Sequence, residues 1–386
     1  MASSKPLVID LFCGAGGMST GFEMAGFVVI LGVEHIDTYA ETFANNHKTA
    51  ETICGDIREV SVDQVKDIIG DRKVSVICGG PPCQGFSGAG RRDNKDPRNS
   101  LFMDFIRMVD GVKPDYFVME NVPGILTMKN EKGFAVIEII KEEFKKIGYK
   151  VRWEKLIAAD YGVPQKRRRV IFIGSKDDKN FPIVYPKKTH GENVNSKGQS
   201  KLDVGIEPVK EWLGAGTVLM PKEEVPAIYF HTQKMIDGFR RRKERNKKNG
   251  KGFGWQLIKT DKPCYTLSAR YWKDGADALV YYSENEVRML TEDECALIQT
   301  FPKTYKFAGS KRDKYTQVGN AVPCLMAKAI AKQLLLNIRI YMSNSPIPDE
   351  DVLNKLLVSE LKELCVLYGF KKSGRKSELI SRLCNK

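Results

Sequence analysis

The chain has 386 residues with 42% hydrophobic content, enough for a large core and two or three domains, and its formal charge of +14 favours a polyanionic partner, nucleic acid before membrane. Nine scattered cysteines without paired spacing argue against a disulfide framework and indicate a reducing compartment, cytoplasmic or, in a eukaryotic source, nuclear. No cysteine–histidine cluster has zinc-ligand spacing, so the sequence predicts no metal site, and it predicts neither a signal peptide nor a membrane-spanning run.

The first predicted element is a buried strand over residues 7–12, followed by a glycine-rich turn and a helix to Gly26. The glycine spacing differs from the dinucleotide fingerprint, which disfavours NAD. The next strand ends at Glu34, where an acid would bind ribose hydroxyls, and a third unit ends at Asp56 and Ile57, where a carboxylate suits an adenine amino group. Either acid alone is better explained as a solvated loop carboxylate. Together with the turn they predict an adenosine-containing ligand.

A cysteine follows the next strand, over residues 74–77. Two glycines and two prolines, at positions 79–82, come directly before Cys83. The glycines allow unusual backbone angles and the prolines fix φ, so together they would hold Cys83 rigidly at the carboxyl end of that strand. Open α/β sheets place their ligands at this edge, so a rigid thiol here suggests a nucleophile. A structural turn with an incidental cysteine explains the local pattern equally well.

An acid and a basic cluster follow further along the chain. The strand over residues 116–119 ends at Glu120, on the same edge as the cysteine. Residues 165–169 open another strand, and alternation would point Arg167 and Arg169 to one face. Basic clusters are usually solvated, but the position at a strand start allows one arginine to point inward.

Six blocks of this sequence resemble, in order, those of the bacterial-type DNA cytosine-C5 methyltransferases. The resemblance covers roughly residues 7–340 and implies an α/β fold: a Rossmann-like S-adenosylmethionine-dependent methyltransferase sheet with a smaller, irregular target-recognition domain. The blocks are DLFCGAGG (10–17), PPCQGFS (81–87), ENVPG (120–124), QKRRR (165–169), LTEDEC (290–295) and QVGNAVP (317–323).

The resemblance also implies roles for individual residues. Cys83 would add to C6 of a flipped-out cytosine, Glu120 would share a proton at N3 and the exocyclic amine, and Arg169, with Arg167 beside it, would hold O2. Gln84 and Ser87 would fill the gap in the duplex or contact its backbone. The cofactor S-adenosylmethionine, leaving as S-adenosylhomocysteine, would be bound by Phe12, Gly14, Gly16, Gly17, Glu34, Asp56, Ile57, Pro81, Leu101, Asn320 and Ala321.

The resemblance divides the rest of the chain into domains. Residues 1–174 would form the catalytic and cofactor-binding part, 175–276 the target-recognition domain, and 277–342 the return to the catalytic domain. The target-recognition region interleaves cations with glycine and aromatic residues, which predicts DNA contacts, although a flexible basic loop without base readout fits too. Its stretch 266–276 resembles the subgroup whose sites begin with two cytosines. The predicted contacts are Arg240, Arg242, Lys251, Phe253, Trp255 and Arg270.

A small module is predicted at the end of the chain, after a linker over residues 343–351. Residues 352–386 contain two short amphipathic helices and resemble the SAP-type DNA-binding motif. Lys372, Arg375 and Lys376 precede or start the second helix, which suits phosphate contact. An ordinary helical cap on the main domain is the alternative.

Two other functions fit the same fold. A tRNA-directed cytosine methyltransferase shares the cysteine and the glutamate, but the Cys-Phe-Thr segment associated with that branch is absent from this sequence. A non-catalytic DNA-binding protein on the same scaffold would usually have lost the cysteine, the acid or the glycine turn. Duplex DNA is therefore the predicted partner of a monomeric enzyme, with a restriction endonuclease as candidate genetic partner.

Overall fold

A seven-stranded sheet, in the order β3-β2-β1-β4-β5-β7-β6, lies at the centre of the computed structural model. The strands from β3 to β5 are parallel, and β7 runs antiparallel between β5 and β6. The strand order reverses between β1 and β4, where the carboxyl ends of parallel strands leave a crevice for ligands. The strands are β1 Leu7–Leu11, β2 Val28–Glu34, β3 Glu51–Cys54, β4 Val74–Gly79, β5 Tyr116–Asn121, β6 Lys150–Ile157 and β7 Arg168–Ser175.

Helices cover both faces of this sheet, because alternate strand residues are apolar on each side. One hydrophobic cluster joins the sheet to α1 and α9, and a second joins it to α3, α4 and α5. This three-layer arrangement confirms the predicted α/β class. The helices are α1 Gly17–Ala25, α2 Asp37–Asn46, α3 Val62–Ile69, α4 Leu101–Val112, α5 Val136–Lys146 and α9 Cys324–Met342.

The structure describes residues 5–82, 101–130, 133–178, 181–192, 194, 209–250, 255–342, 350–354, 356, 358–367 and 370–384. Between β7 and α9 the described chain is irregular, with short 3-10 turns and two separate hydrophobic clusters. Its regular elements are β8 His190–Gly191, β9 Lys210–Glu211, α6 Gln233–Lys248, β10 Val280–Ser283, β11 Glu286–Arg288, α7 Glu292–Ile298 and α8 Lys311–Asn320.

The helix α9, which packs against α1, belongs to the most apolar long segment of the described chain. The segment Lys311–Arg339 is long and apolar enough to qualify as a membrane span, which the sequence was not expected to contain. However, 72% of its apolar window is buried inside the protein, as in the core helix of a globular domain.

Three short helices end the described chain, α10 Glu350–Leu353, α11 Val358–Leu367 and α12 Lys376–Cys384. The two amphipathic helices predicted here are α11 and α12. Their leucines form a small core of their own, which also includes Leu336 of α9. The C-terminal helices therefore pack against the catalytic sheet unit through α9.

Candidate active site

The turn after β1 is built from residues with left-handed backbone angles. Phe12 has φ 58°, Gly14 has φ 52° and Gly16 has φ 78°. A Cβ atom at Gly16 would overlap Nε2 of His47, whereas a Cβ at Gly14 would meet nothing within 4 Å. Position 16 therefore needs a glycine, because no side chain fits there. The backbone at Gly14 instead borders open space that a ligand can enter.

Glu34 fastens this turn to the end of β2. Its Oε2 accepts a hydrogen bond from the backbone N–H of Gly14 at 2.9 Å, and its Oε1 accepts from the N–H groups of His35 and Ile36, each at 3.0 Å. Each oxygen of a carboxylate can accept more than one bond, so a ribose hydroxyl beside Gly14 still has an acceptor. The turn and this acid therefore fit the adenosine part of S-adenosylmethionine.

The second predicted acid, Asp56, is already paired. Its Oδ2 lies 2.5 Å from a terminal guanidinium nitrogen of Arg58, and these hydrogen bonds lower the pKa of Asp56 to about 2. An adenine amino group would have to share this carboxylate with Arg58. Ile57, which follows, is buried against the sheet.

A buried hydrogen-bonded chain supports the same turn from behind. Tyr305 donates its hydroxyl proton to the carbonyl of Ala15, and its oxygen lies 3.1 Å from Nε2 of His47. The other ring nitrogen of His47 lies 2.9 Å from Oε2 of Glu23. The sequence analysis did not find His47 or Tyr305, because their contact spans 258 residues and belongs to none of the blocks.

The end of the catalytic unit lies beside its beginning, as predicted. A Cβ atom at Gly17 would overlap the carbonyl oxygen of Val322 and would lie 3.2 Å from Cβ of Ala321. Asn320, just before, is exposed at the end of α8. Ala321 and Val322 therefore stand next to the glycine turn, and the role of Asn320 and Ala321 in cofactor binding stays a prediction.

The chain that leads to the cysteine loop passes Glu120. A Cβ atom at Gly80 would lie 3.2 Å from Oε2 of Glu120, and Nδ2 of Asn121 donates to the carbonyl of Pro81 at 3.2 Å. Leu101, which starts α4, is partly buried in the core on one face of the sheet. Cys83, Gln84 and Ser87 lie outside the described residues, as do Lys251 and Phe253.

Glu120 and Arg169 form an ion pair at this edge of the sheet. Oε1 of Glu120 lies 2.5 Å from Nε of Arg169, and each side chain is 12% exposed. The two atoms do not have hydrogen-bond geometry with each other, and neither atom has another hydrogen-bond partner among the described residues. A nearly buried carboxylate and guanidinium held side by side can present an acceptor and a donor to the edge of one polar ligand.

Arg167 has a different position. It is fully buried and donates to the carbonyls of Leu267 and Asn320, each at 3.2 Å. Burial lowers the pKa of this guanidinium, and the charge of Arg169 lowers it further. Gln165 joins the same region, since its Oε1 accepts from the N–H of Leu267 at 3.0 Å. Arg167 therefore holds the surrounding segments in place.

A cleft of about 520 Å³ opens beside these segments. Three cations line it, Arg270, Lys273 and Arg312, and none of them forms an ion pair within the described part of the chain. The guanidinium of Arg312 lies 4.6 Å from the ring centre of Trp272, and Nζ of Lys273 lies 5.6 Å from it. Arg270 was predicted to contact DNA, and the structure adds a ring and two cations to the same cleft.

The other predicted DNA contacts of this region that the structure describes are bonded or packed within the protein. Arg240 donates to the carbonyl of Glu284 at 2.6 Å, and Arg242 pairs with Asp274 at 2.9 Å. The ring of Trp255 is 7% exposed and belongs to a hydrophobic cluster. Trp255 is therefore part of the packing around α6, whereas Arg240 and Arg242 remain about a third exposed and their contact with DNA stays a prediction.

The C-terminal module presents part of its predicted basic surface. Arg375 is exposed and Lys372 is partly exposed, whereas Nζ of Lys376 donates to the carbonyl of Asn354 at 2.8 Å. The backbone N–H of Arg375 donates to Oε2 of Glu378 at 3.1 Å, which caps α12. No cluster of metal-ligating side chains occurs among the residues that the structure describes, and the absence of a metal stays a prediction.

Comparison with known proteins identifies the family. Residues 7–336 match the model of the C-5 cytosine-specific DNA methylase family, and residues 352–385 match that of the SAP domain. The Type II methyltransferase M.DdeI of Desulfomicrobium norvegicum is 37% identical over 374 residues, covering 85% of this chain and 88% of the relative. M1.HphI of Haemophilus parahaemolyticus is 38% identical over 338 residues, covering 85% and 86%.

Solved structures agree with this at the level of the fold. A putative DNA modification methyltransferase encoded within an E. coli prophage aligns with a TM-score of 0.63 and 24% identity, over 86% of this chain and 99% of that one. The S. pombe Dnmt2 methyltransferase aligns with a TM-score of 0.62 and 17% identity, over the same shares. The chain belongs to the C-5 cytosine-specific DNA methylase family, and it is a DNA cytosine-C5 methyltransferase that carries a SAP domain.

Proposed function

We propose that this enzyme transfers a methyl group from S-adenosylmethionine to C5 of a cytosine flipped out of duplex DNA, through a covalent bond between Cys83 and C6. The observation that carries the proposal is the pair of Glu120 and Arg169, whose facing atoms are 2.5 Å apart without hydrogen-bond partners. This pair lies next to Gly80, three residues before the cysteine.

Glu120 and Arg169 suit the polar edge of a cytosine. A carboxylic acid at N3 can donate its proton to the ring and accept from the exocyclic amine, while the guanidinium donates to O2. Both groups are nearly buried, so water competes little with the base. The base must leave the helix to reach them, at a cost of a few kcal/mol. Gln84 and Ser87 are proposed to fill the gap or to contact the backbone.

Cys83 supplies the nucleophile that cytosine chemistry needs, because C5 of the neutral ring is a weak nucleophile. The thiolate forms a bond to C6, the C5–C6 π electrons move to C5, and N3 takes the proton from Glu120. After C5 has gained the methyl group, its proton leaves to water or another base. The electron pair then reforms the C5–C6 double bond, the sulfur–C6 bond breaks, and N3 returns its proton to Glu120.

The cofactor fits the glycine turn on the observations above. When bound, S-adenosylmethionine supplies the electrophilic methyl group. Glu34 would hold the ribose, Phe12 and Leu101 would offer apolar contacts, and Asn320 with Ala321 would close the far side of the pocket. Gly14, Gly16, Gly17, Asp56, Ile57 and Pro81 complete the proposed set.

The proposed organisation keeps the boundaries predicted from the sequence. Residues 175–276 would select the target sequence, with the cleft beside Arg270 on the DNA path, and residues 352–386 would add DNA affinity through Lys372 and Arg375. Lys376 is proposed to support the module, given its bond to Asn354. We propose a monomer that can act with a separate restriction endonuclease.

Incubation of duplex DNA with tritiated S-adenosylmethionine tests the proposal, with wild type beside Cys83→Ala and with bisulfite mapping of the product. The expected result is label at C5 of cytosine in a short sequence, abolished by the substitution. Label on small RNA alone would support the tRNA-directed activity instead. DNA binding without label on either nucleic acid would support a non-catalytic protein.

A further inference from the structure

The helix α6 has an inner side that is fixed by packing. Ile236 and Phe239 are buried in a cluster with Trp255. Arg240 and Arg242 flank this side from opposite edges, where they contact Glu284 and Asp274, and the guanidinium of Arg242 lies 5.1 Å from the ring centre of Phe239. The cations on this side are therefore engaged within the protein.

The outer side carries four other cations, Lys234, Arg241, Arg245 and Lys248, all exposed. They are seven, four and three residues apart, so at 100° per residue they fall within about 60° of the helix circumference. We call this set the α6 stripe. None of the four forms an ion pair within the described residues, and a Cβ atom at Gly238, on the same side, would meet nothing within 4 Å.

Helix stability does not explain the stripe. Cations near a helix C-terminus are favourable, which accounts for Arg245 and Lys248 in the last turns. Lys234 lies in the first turn, where a cation is unfavourable, and Arg241 lies in the middle. Four like charges along one side also repel each other. The helix's own acids at suitable spacing, Asp237 and Glu244, form no ion pair with the stripe among the described residues, since Asp237 pairs with Arg240. The four charges are therefore left for a polyanion outside the helix.

We propose that the α6 stripe binds the phosphate backbone of the DNA substrate without reading its sequence, at a place outside the methylated base pair. This inference rests on the proposed function. The stripe extends ~21 Å along the helix axis, or about six base pairs of duplex. Gly238 lets the DNA backbone approach the helix closely. The ion pair of Arg242 with Asp274 ties α6 to the turn that carries Lys273 and Trp272, which line the cleft.

The test measures DNA binding by fluorescence anisotropy while salt is varied from about 50 to 200 mM. Wild type is compared with a variant carrying Lys234→Gln, Arg241→Gln, Arg245→Gln and Lys248→Gln. The matched control removes four positive charges from solvent-facing helical positions in α3 and α5. It carries Lys66→Gln, Lys141→Gln, Lys145→Gln and Lys146→Gln, and its basal methyl transfer should equal that of wild type.

The expected result is that the slope of log K against log salt falls by about three to four in the stripe variant, at about 0.9 per phosphate contact. The loss of affinity should be equal for a duplex with the methylated sequence and for a scrambled duplex. The control should keep the wild-type slope.

Two results would contradict phosphate binding by the α6 stripe and leave the proposed function intact. One is a stripe variant whose slope changes no more than that of the control, while wild type methylates duplex DNA. The other is a loss confined to the methylated sequence, which would mean base recognition. Failure of wild type to bind or methylate duplex DNA would instead contradict the proposed function. Phosphate binding by the α6 stripe would then be contradicted as well.

Discussion

The three arginines at the start of β7 have three different surroundings although they are neighbours in the chain. Arg167 is buried and bonded to two carbonyls, Arg168 is exposed, and Arg169 faces Glu120. Alternation along a strand explains why Arg168 points away from the other two. Nε of Arg167 and Nε of Arg169 both lack a hydrogen-bond partner among the described residues, but of these three arginines it is Arg169 that pairs with Glu120. Arg167 is better described as a positioning residue.

We predict that Arg169→Gln lowers kcat/KM for methyl transfer by roughly 100-fold, since one donor to the developing charge is lost. Arg168→Gln is the matched control and should stay near the wild-type rate, because its side chain is exposed on the opposite side of the strand. Tritium transfer to duplex DNA measures both. Equal losses in the two variants would contradict the assignment.

Asp10 lies in the sheet beneath the glycine turn and makes stability depend on pH. Burial raises its pKa from 3.8 to about 6, although Oγ of Ser19 donates to Oδ2 at 2.7 Å. Because the folded state holds this proton more tightly, the stabilising contribution is complete below about pH 4 and is lost as the pH rises through about 6.

Asp10→Asn should therefore reduce the loss of stability between pH 5 and pH 7.5, by roughly 1.4 kcal/mol. Urea denaturation at the two pH values measures the difference. The exposed acid in Asp63→Asn serves as the control and should keep the wild-type pH dependence. An Asp10 variant with unchanged pH dependence would show that another group is responsible.

At the scale of elements, the glycine turn depends on parts of the chain that are distant in sequence. The hydroxyl of Tyr305 bonds to Ala15, and His47 bonds to Tyr305 and Glu23. These contacts join the loop after α7, the end of α2 and the middle of α1 behind the proposed cofactor pocket. The turn is thus fixed before a ligand binds, which reduces the entropy lost on binding.

Tyr305→Phe removes one hydroxyl and keeps the ring. We expect affinity for S-adenosylmethionine to fall about five- to tenfold, the value of one hydrogen bond, with DNA affinity unchanged. Isothermal titration calorimetry measures the first and anisotropy the second. Tyr281→Phe, at a side chain that is 44% exposed, is the control. A parallel loss of DNA affinity would indicate general destabilisation.

At the scale of the whole molecule, a fully buried ion pair joins the irregular region to the returning chain. Arg288 at the end of β11 binds both oxygens of Glu294 in α7, at 2.7 and 2.8 Å. Glu294 also accepts from the backbone N–H groups of Met220 and Thr291, each at 2.8 Å. One carboxylate thereby fixes three segments.

Glu294→Ala would leave Arg288 buried without its partner, and we expect unfolding free energy to fall by about 3–5 kcal/mol. The exposed pair of Lys222 and Glu286 provides the control, since Glu286→Ala should cost less than about 1 kcal/mol. Guanidinium chloride denaturation measures both. A small effect of Glu294→Ala would mean that water reaches the arginine.

Local patterns were sufficient to predict the sheet, the glycine turn and the inward direction of the Arg169 side chain, because each depends on a few consecutive residues. They were not sufficient for Tyr305, whose partners are set by the three-dimensional fold. They also did not show which cations of the basic run are bonded within the protein, since consecutive cations on a helix point in different directions. The spacing of Ile236 and Phe239 contains the missing signal, because it marks the inner side of α6.

The packing of α9 on α1 affects the order in which a ribosome can complete this enzyme. Gly17 and Gly21 let the two helices approach so closely that added Cβ atoms would overlap the carbonyls of Val322 and Cys324. The first helix emerges during translation about 300 residues before its partner, so this part of the core must wait for distant contacts. A nascent chain consequently lacks one wall of the proposed cofactor pocket until synthesis is nearly finished.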